Sequence, residues 1–389
     1  MSHSLEKIGR IVGEASPETF IFVADKERHP PKYEYVVVFS KEMVGNEIKE
    51  VLVLAQITGI ISRSDAYKME LDFDTLERIY NVGIDDTNVL CASRTLGFIV
   101  KEGNRKRVYL PRRAIYPGNP VYIAPDDLVK EFFSYPEEEG LFIGHLISRP
   151  SIDVHISING FHRHVAIIAQ TGAGKSYTVG VILEELLRLG ATAIVIDPHA
   201  DYVFLSRTTE RRRHEYSDRI IVFRNPNSTG RYRPEDIDNL RELTFKFSEL
   251  EVEDIARIAD IPERWTNIIG VIEEAIQQLR RSEKSESYTL NDLLNKLEEI
   301  SRRGGREGVY AKKALFHLRK MKKIKVFGDR TTSIREILKP FHVSIIDLSG
   351  LNDASQDYIV SRILEDVIRL RIQQEFEWPV FVFIEEAHR

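Results

Sequence analysis

The stretch that most restricts how this chain can fold is AQTGAGKS, Ala169–Ser176. It follows the apolar run VAIIA at 165–169 and precedes a segment in which Val179, Ile182, Leu183, Leu186 and Leu187 recur at three-to-four spacing. The order is therefore strand, glycine-rich loop, helix. The loop matches the phosphate-binding pattern GxxxxGK(S/T), with Ala169 in place of the first glycine. Lacking Cβ atoms, Gly172 and Gly174 let the backbone of Thr171, Gly172, Ala173, Gly174, Lys175, Ser176 and Tyr177 curl so that successive N–H groups face a phosphate chain. The helix N-terminus adds partial positive charge to that cradle. Lys175 is placed to reach the β- and γ-phosphates and the Ser176 hydroxyl to hold Mg²⁺, so the expected ligands are ATP and Mg²⁺. A glycine-rich turn that only joins two elements is the plain alternative, and the strand–loop–helix context speaks against it.

From about residue 140 apolar runs alternate with amphipathic ones. TAIVI at 192–196, RIIVF at 219–223, VSIIDL at 343–348 and VFVFI at 380–384 read as buried strands. Between the last two, Ile359, Ile363, Val367 and Leu370 form one apolar stripe. This predicts an α/β, RecA-like P-loop NTPase core with a doubly wound, mostly parallel sheet, over residues 121–232 and 341–389. Residues 233–340 hold no convincing strand. They do hold helical patterns such as RWTNIIGVIEEAIQQLRR and TLNDLLNKLEEISRR, the latter with Thr289 as N-cap, and are expected to form an inserted helical subdomain. Residues 1–120 carry short β-type runs, among them IGRIVG, TFIFVAD, YEYVVVF and EVLVLAQITGII, which predict an N-terminal all-β barrel. Within them DAYKMELDFDTLERIYNVGI reads as polar and partly helical.

The end of the sequence, FVFIEEAHR, supplies the other half of a nucleotide site. Glu385, first after the strand, is expected to hold the metal through water, and Glu386 to orient the attacking water. DPHADY at 197–202 ends another core strand, where ligands bind in open α/β sheets. There Asp197, His199 and Asp201 are candidate lining residues, with an Asp–Pro turn as the bland alternative. Arg163, just before the VAIIA run, is by default a surface arginine. In a ring it becomes a candidate to meet a neighbouring subunit's site.

Composition narrows the class. With 42% apolar and 30% charged residues and a net charge of −5, the chain is an ordinary globular one and not a strongly basic one. The single cysteine, Cys91, excludes an intramolecular disulfide framework and a multi-cysteine zinc site. No apolar run approaches the roughly 20 residues that span a bilayer, so a cytoplasmic protein without membrane contact is expected. Positive charge does cluster locally. Ser301 to Lys325 holds ten Lys or Arg against one acid, Glu307, and RKRVYLPRR at 105–113 is a second patch; a polyanion footprint and a solvated face are both open readings.

A barrel, then IGHLI near Ile143, HVAIIAQTGAGKS, DPHADY and FIEEAHR, together resemble the HerA family of archaeal ring-shaped DNA translocases, relatives of the FtsK-type pumps. The resemblance implies a homohexamer with nucleotide at subunit interfaces and duplex DNA in the central channel. It further implies ATP-driven translocation or unwinding and a NurA-type nuclease partner in processing DNA ends for recombinational repair. The usual form of the second motif looks like Asp–Pro–His–Gly–Glu, so Ala200 and Asp201 depart from it, keeping the acid but shortening it. Family members continue past the acidic strand into strands bearing a polar sensor and an arginine finger. None follows Arg389, and a cut or partly ordered chain is expected. The competing class is a nucleotide-binding assembly module for a nuclease, without turnover in this form.

Overall fold

Alternating burial shapes the N-terminal region. The structure is a computed structural model that describes residues 5–102, 105–136, 138–281 and 287–387. Seven strands come first: β1 (Lys7–Val12), β2 (Thr19–Ala24), β3 (Tyr35–Val44), β4 (Glu47–Arg63), β5 (Asn88–Glu102), β6 (Arg105–Tyr109) and β7 (Pro120–Ile123). Their order is β2-β1-β7-β3-β4-β5-β6, and a further pairing of β2 with β5, Phe22 opposite Cys91, closes all but β6 into a barrel. Closure removes the free edges that an open sheet would leave. Along β2, Phe20, Phe22 and Ala24 point into the core while Ile21 is 43% exposed, the period-two pattern that fixes register. Burial pushes the Cys91 thiol up to about 11, so it packs as an inert apolar group. The polar stretch yields helix α1 (Phe73–Val82), N-capped by Asp72.

Helix α2 (Asp126–Phe133) and the hairpin of β8 (Gly140–His145) and β9 (Asp153–Ser157) follow. The chain divides into two compact units, Met1–Ala166 and Ile167–Arg389. Residues 121–166, assigned to the core by the sequence reading, thus group with the barrel.

The second unit opens with helix α3 (Lys175–Arg188) and is built on a sheet in the order β12-β11-β13-β10-β14. Its strands are β10 (Thr192–Asp197), β11 (Ile220–Arg224), β12 (Leu240–Glu242), β13 (Val343–Asp347) and β14 (Val380–Ile384), all parallel to their neighbours. Alternate residues of β10 serve opposite faces. Ala193 and Val195 pack with Val179, Leu183 and Leu187 of α3, and Ile194 and Ile196 lie in the cluster that takes in the insert and helix α9 (Asp353–Ile372). Burial on both faces is why this strand reads as one continuous apolar run. The insert contains α4 (Val252–Ile258), α5 (Thr266–Arg280), α6 (Leu290–Arg303), α7 (Gly305–Leu318) and the short α8 (Ile334–Ile337). Thr289 caps α6 in a reciprocal box with Asp292, and Gly304 and Gly305, at φ 76° and 68°, make the tight turn into α7.

Two expectations fail. VAIIA is not a strand: residues 164–170 lie outside any sheet, and Val165 and Ile168 are 52% and 92% exposed. A parallel strand is stable only when both faces are covered. On β14, whose second edge is unpaired, Val382 and Ile384 are 38% and 47% exposed, so nothing among the described residues covers that face. The stretch 233–340 does contain a strand, the three-residue β12, whose Leu240 pairs with Val222 of β11. Its single apolar residue is too little for a periodic signal.

Candidate functional site

The glycine-rich loop takes the shape its composition permits. Gly172 and Gly174 have φ of 80° and 91°, left-handed values that side chains with a Cβ rarely adopt. Gly174 is the N-cap of α3 and Lys175 its first residue, so the helix begins at the lysine. Thr171, Ala173 and Tyr177 are exposed, and Thr178 N–H donates to the Gly174 carbonyl at 2.9 Å to start the helical ladder.

The carboxylates arrive from the sheet. Strands β10 and β14 are hydrogen-bonded neighbours with Ile196 opposite Ile384, so the next residues, Asp197 and Glu385, leave the C-terminal edge side by side. Lys175 Nζ lies 2.9 Å from Glu385 Oε2 and 3.0 Å from Glu386 Oε1, joining positions 210 and 211 residues apart in sequence. These two contacts, Glu385 first, hold the Lys175 pKa above its ordinary value. The Tyr202 hydroxyl donates to Glu385 Oε1, and burial followed by that carboxylate raises the phenol pKa, which keeps the donor protonated. Glu386 has φ 53°, a strained value for a glutamate of the kind found at functional sites.

Behind this pair lies the DPHADY turn. Asp197 is fully buried and accepts the backbone N–H groups of His199, Asp201 and Tyr202 at 3.2, 3.0 and 2.9 Å. Burial raises its pKa to about 6 against the lowering effect of those N–H groups. Its carboxylate shapes the turn. Ala200 sits at φ 57°, which accounts for glycine at this point in the pattern that the sequence resembles. The shortened acid has a defined place: Asp201 Oδ2 accepts the Ser176 hydroxyl at 3.0 Å, and Asp201 Oδ1 lies 3.1 Å from Arg231 Nη1. Arg231 also donates to the His199 carbonyl at 3.1 Å. One strand over, Arg224 at the end of β11 pairs with the buried Asp347 at the end of β13.

The structure therefore gathers Lys175, Ser176, Asp201, Glu385 and Glu386 in direct contacts, with Asp197 supporting from behind and His199 contributing backbone groups. Arg163 lies in the first unit as the C-cap of a 3₁₀ turn, Ile158–His162. Sequence reasoning missed Tyr202, Arg231 and the Arg224–Asp347 pair. Tyr202 closes the quoted motif, and the aspartate ending VSIID stands where Asp197 ends its own strand, so both carried a signal of position. Arg231, in a loop, carried none.

The chain matches the family described as "Helicase HerA, central domain" over residues 141–367. A probable helicase of Methanocaldococcus jannaschii is 26% identical over 98% of this chain and 71% of that protein. The DNA double-strand break repair helicase HerA of Pyrococcus furiosus is 28% identical over 95% of this chain and 65% of its own length, and that of Sulfurisphaera tokodaii 25% identical over 98% and 72%. Among solved structures, the bacterial conjugative coupling protein TrwBdeltaN70 in its unbound form aligns with a TM-score of 0.39 and 20% identity, over 62% of this chain and 58% of that one.

Proposed function

This chain belongs to the HerA family, and from that premise we propose that it is a Mg²⁺-dependent ATPase that drives a translocase or helicase along duplex DNA. The observation that carries the reading is the contact of Lys175 with Glu385 and Glu386 at the edge where parallel strands end, beside a loop of phosphate-binding shape. Loop N–H groups from Thr171 to Tyr177 bind the phosphate oxygens. Lys175 exchanges Glu386 for the β- and γ-phosphates, which frees Glu386 to orient water and accept its proton. Tyr202 keeps Glu385 in place during that exchange.

Among the described residues no cluster of His, Cys, Asp or Glu is set to hold a metal by itself. Mg²⁺ commonly binds through one or two carboxylates plus substrate phosphates. Ser176 and Glu385 are the residues to hold it, where it would neutralise phosphate charge. Arg231 and Asp201 orient the Ser176 hydroxyl.

The reading extends to a homohexamer around duplex DNA, working in the cytoplasm with a NurA-type nuclease on DNA ends. Two relatives are named double-strand break repair helicases, which supports the part of the reading that concerns DNA ends. Among the described residues no helix is long and apolar enough to cross a membrane. The test is the steady-state ATPase rate with and without duplex DNA, together with native mass. Stimulation by the duplex and loss of at least about 10³-fold in Lys175→Ala are expected. A rate indifferent to DNA, or turnover surviving the substitution, contradicts the proposal.

A further inference from the structure

The helical insert carries a surface that the nucleotide site does not use. Two concavities, of about 600 and about 860 Å³, open on the insert and share Lys312 and Phe316 of α7. The first is walled by Trp265, Ile268 and Val309 with Arg264 and Lys313. The second adds Arg302, Arg319, Lys320 and Lys323, and its one acid, Glu298, is already paired with Arg319 at 3.1 Å. Among the described residues Lys312, Lys313, Lys320 and Lys323 have no carboxylate partner, although the chain as a whole has a net charge of −5. Phe316 is 67% exposed, Val309 54% and Trp265 37%. Lys320 stands over the Phe316 ring at 5.9 Å.

Folding alone does not account for this surface. The insert already has a full apolar core in which Ala311, Ala314, Leu315 and Leu318 of α7 are buried, so the exposed Phe316 lies on the face of α7 turned away from it. Lys312 and Phe316 lie four residues apart on α7 and so on one face of it, and Lys320, in the short 3₁₀ turn Arg319–Lys323 that follows the helix, stands over the same ring, so that cations flank the Phe316 side chain. A ring offers a sequence-tolerant stacking platform for a base, and flanking cations neutralise the phosphates on either side. An isolated patch of lysines would fit any polyanion. Two exposed aromatic rings beside these lysines, Phe316 among them and Trp265 across the first concavity, select one whose repeating unit is both flat and anionic.

We infer that this groove binds single-stranded nucleic acid, as a site separate from the nucleotide site. Duplex presents phosphates but keeps its base faces stacked inside, so it can use the lysines and not Phe316 or Trp265. The inference rests on the groove alone, and Lys175→Ala should leave it intact.

The test titrates the full chain into a fluorescently labelled oligo-dT at low salt and follows its anisotropy. In parallel, Trp265 emission is followed in a Trp378→Phe background, which leaves Trp265 as the only tryptophan. Quenching of Trp265 by the strand is expected, with a 5- to 150-fold (roughly) loss of affinity in Phe316→Ala, since stacking is worth about 1–3 kcal/mol per base. Lys312→Glu with Lys320→Glu should weaken binding further and flatten its salt dependence. Phe316 is exposed enough that its replacement should leave the fold unchanged, and the paired lysine variant checks the same surface independently. The proposal is overturned if oligo-dT does not bind or if binding ignores all of these substitutions. It is equally overturned if a blunt duplex or polyglutamate displaces the strand as well as unlabelled oligo-dT does, which would make the groove a duplex or acidic-protein surface.

Discussion

Strands β10 and β14 lie side by side and both end in acids, yet the two ends are built for opposite purposes. At the end of β10, Asp197 is sealed from solvent and its oxygens are taken up by three backbone N–H groups. At the end of β14, Glu385 and Glu386 are 10% and 26% exposed, and both lean on Lys175, itself 28% exposed. The first carboxylate is held by fixed backbone dipoles that no ligand can replace. The second pair is held in large part by a mobile ammonium group that phosphate attracts at least as strongly. One strand end thus sets shape while the other remains available for exchange.

The largest expected effect that could break this contrast is on stability. Asp197→Ala leaves three buried N–H groups without their acceptor and should cost about 3–5 kcal/mol, read as a shift in the denaturation midpoint. A loss under about 1 kcal/mol would mean that Asp197 does not hold the turn. A second expectation concerns pH. The native pKa of Asp197, pushed up to about 6 by burial, lies above the ordinary aspartate value of 3.8, so the folded state binds its proton more readily than the unfolded chain does. The stability this contributes is fully present below about pH 4 and is lost as pH rises through 6. Relative to Asp197→Asn, the native chain should therefore lose up to about 3 kcal/mol between pH 4 and pH 7, and parallel stability curves for the two proteins would refute the shift.

A smaller effect sharpens the other side of the comparison. Tyr202→Phe removes the only hydroxyl described on Glu385 and should cost about 1–2 kcal/mol in stability. Nucleotide turnover should fall several-fold as Glu385 loses its fixed position. If turnover is unchanged while stability falls, Tyr202 supports the fold and not the site.

Much of this arrangement is legible in the sequence, where the signal is local. The glycines of the loop, the stripe from Val179 to Leu187, the Thr289 cap and the apolar runs of β10, β11, β13 and β14 all announce themselves through spacing or punctuation within a dozen residues. What escapes notice depends on pairing across distance. Nothing near Tyr202 says that its hydroxyl meets a glutamate 183 residues later, and nothing near Arg231 says that it faces Asp201. The VAIIA run fails for a related reason. An apolar stretch states what a strand could bury, but whether something covers both its faces is decided elsewhere in the chain.

The central claim is that Lys175 passes between Glu386 and the phosphates of a bound nucleotide. Nucleotide affinity and turnover measured together in Glu386→Gln test it most directly. The substitution keeps the side chain's size, removes the charge that competes for Lys175 and removes the group that orients water. Because the pair is partly exposed, binding should tighten only about 2- to 5-fold, while turnover should fall about 10²- to 10⁴-fold. Weaker binding with turnover intact would contradict the account.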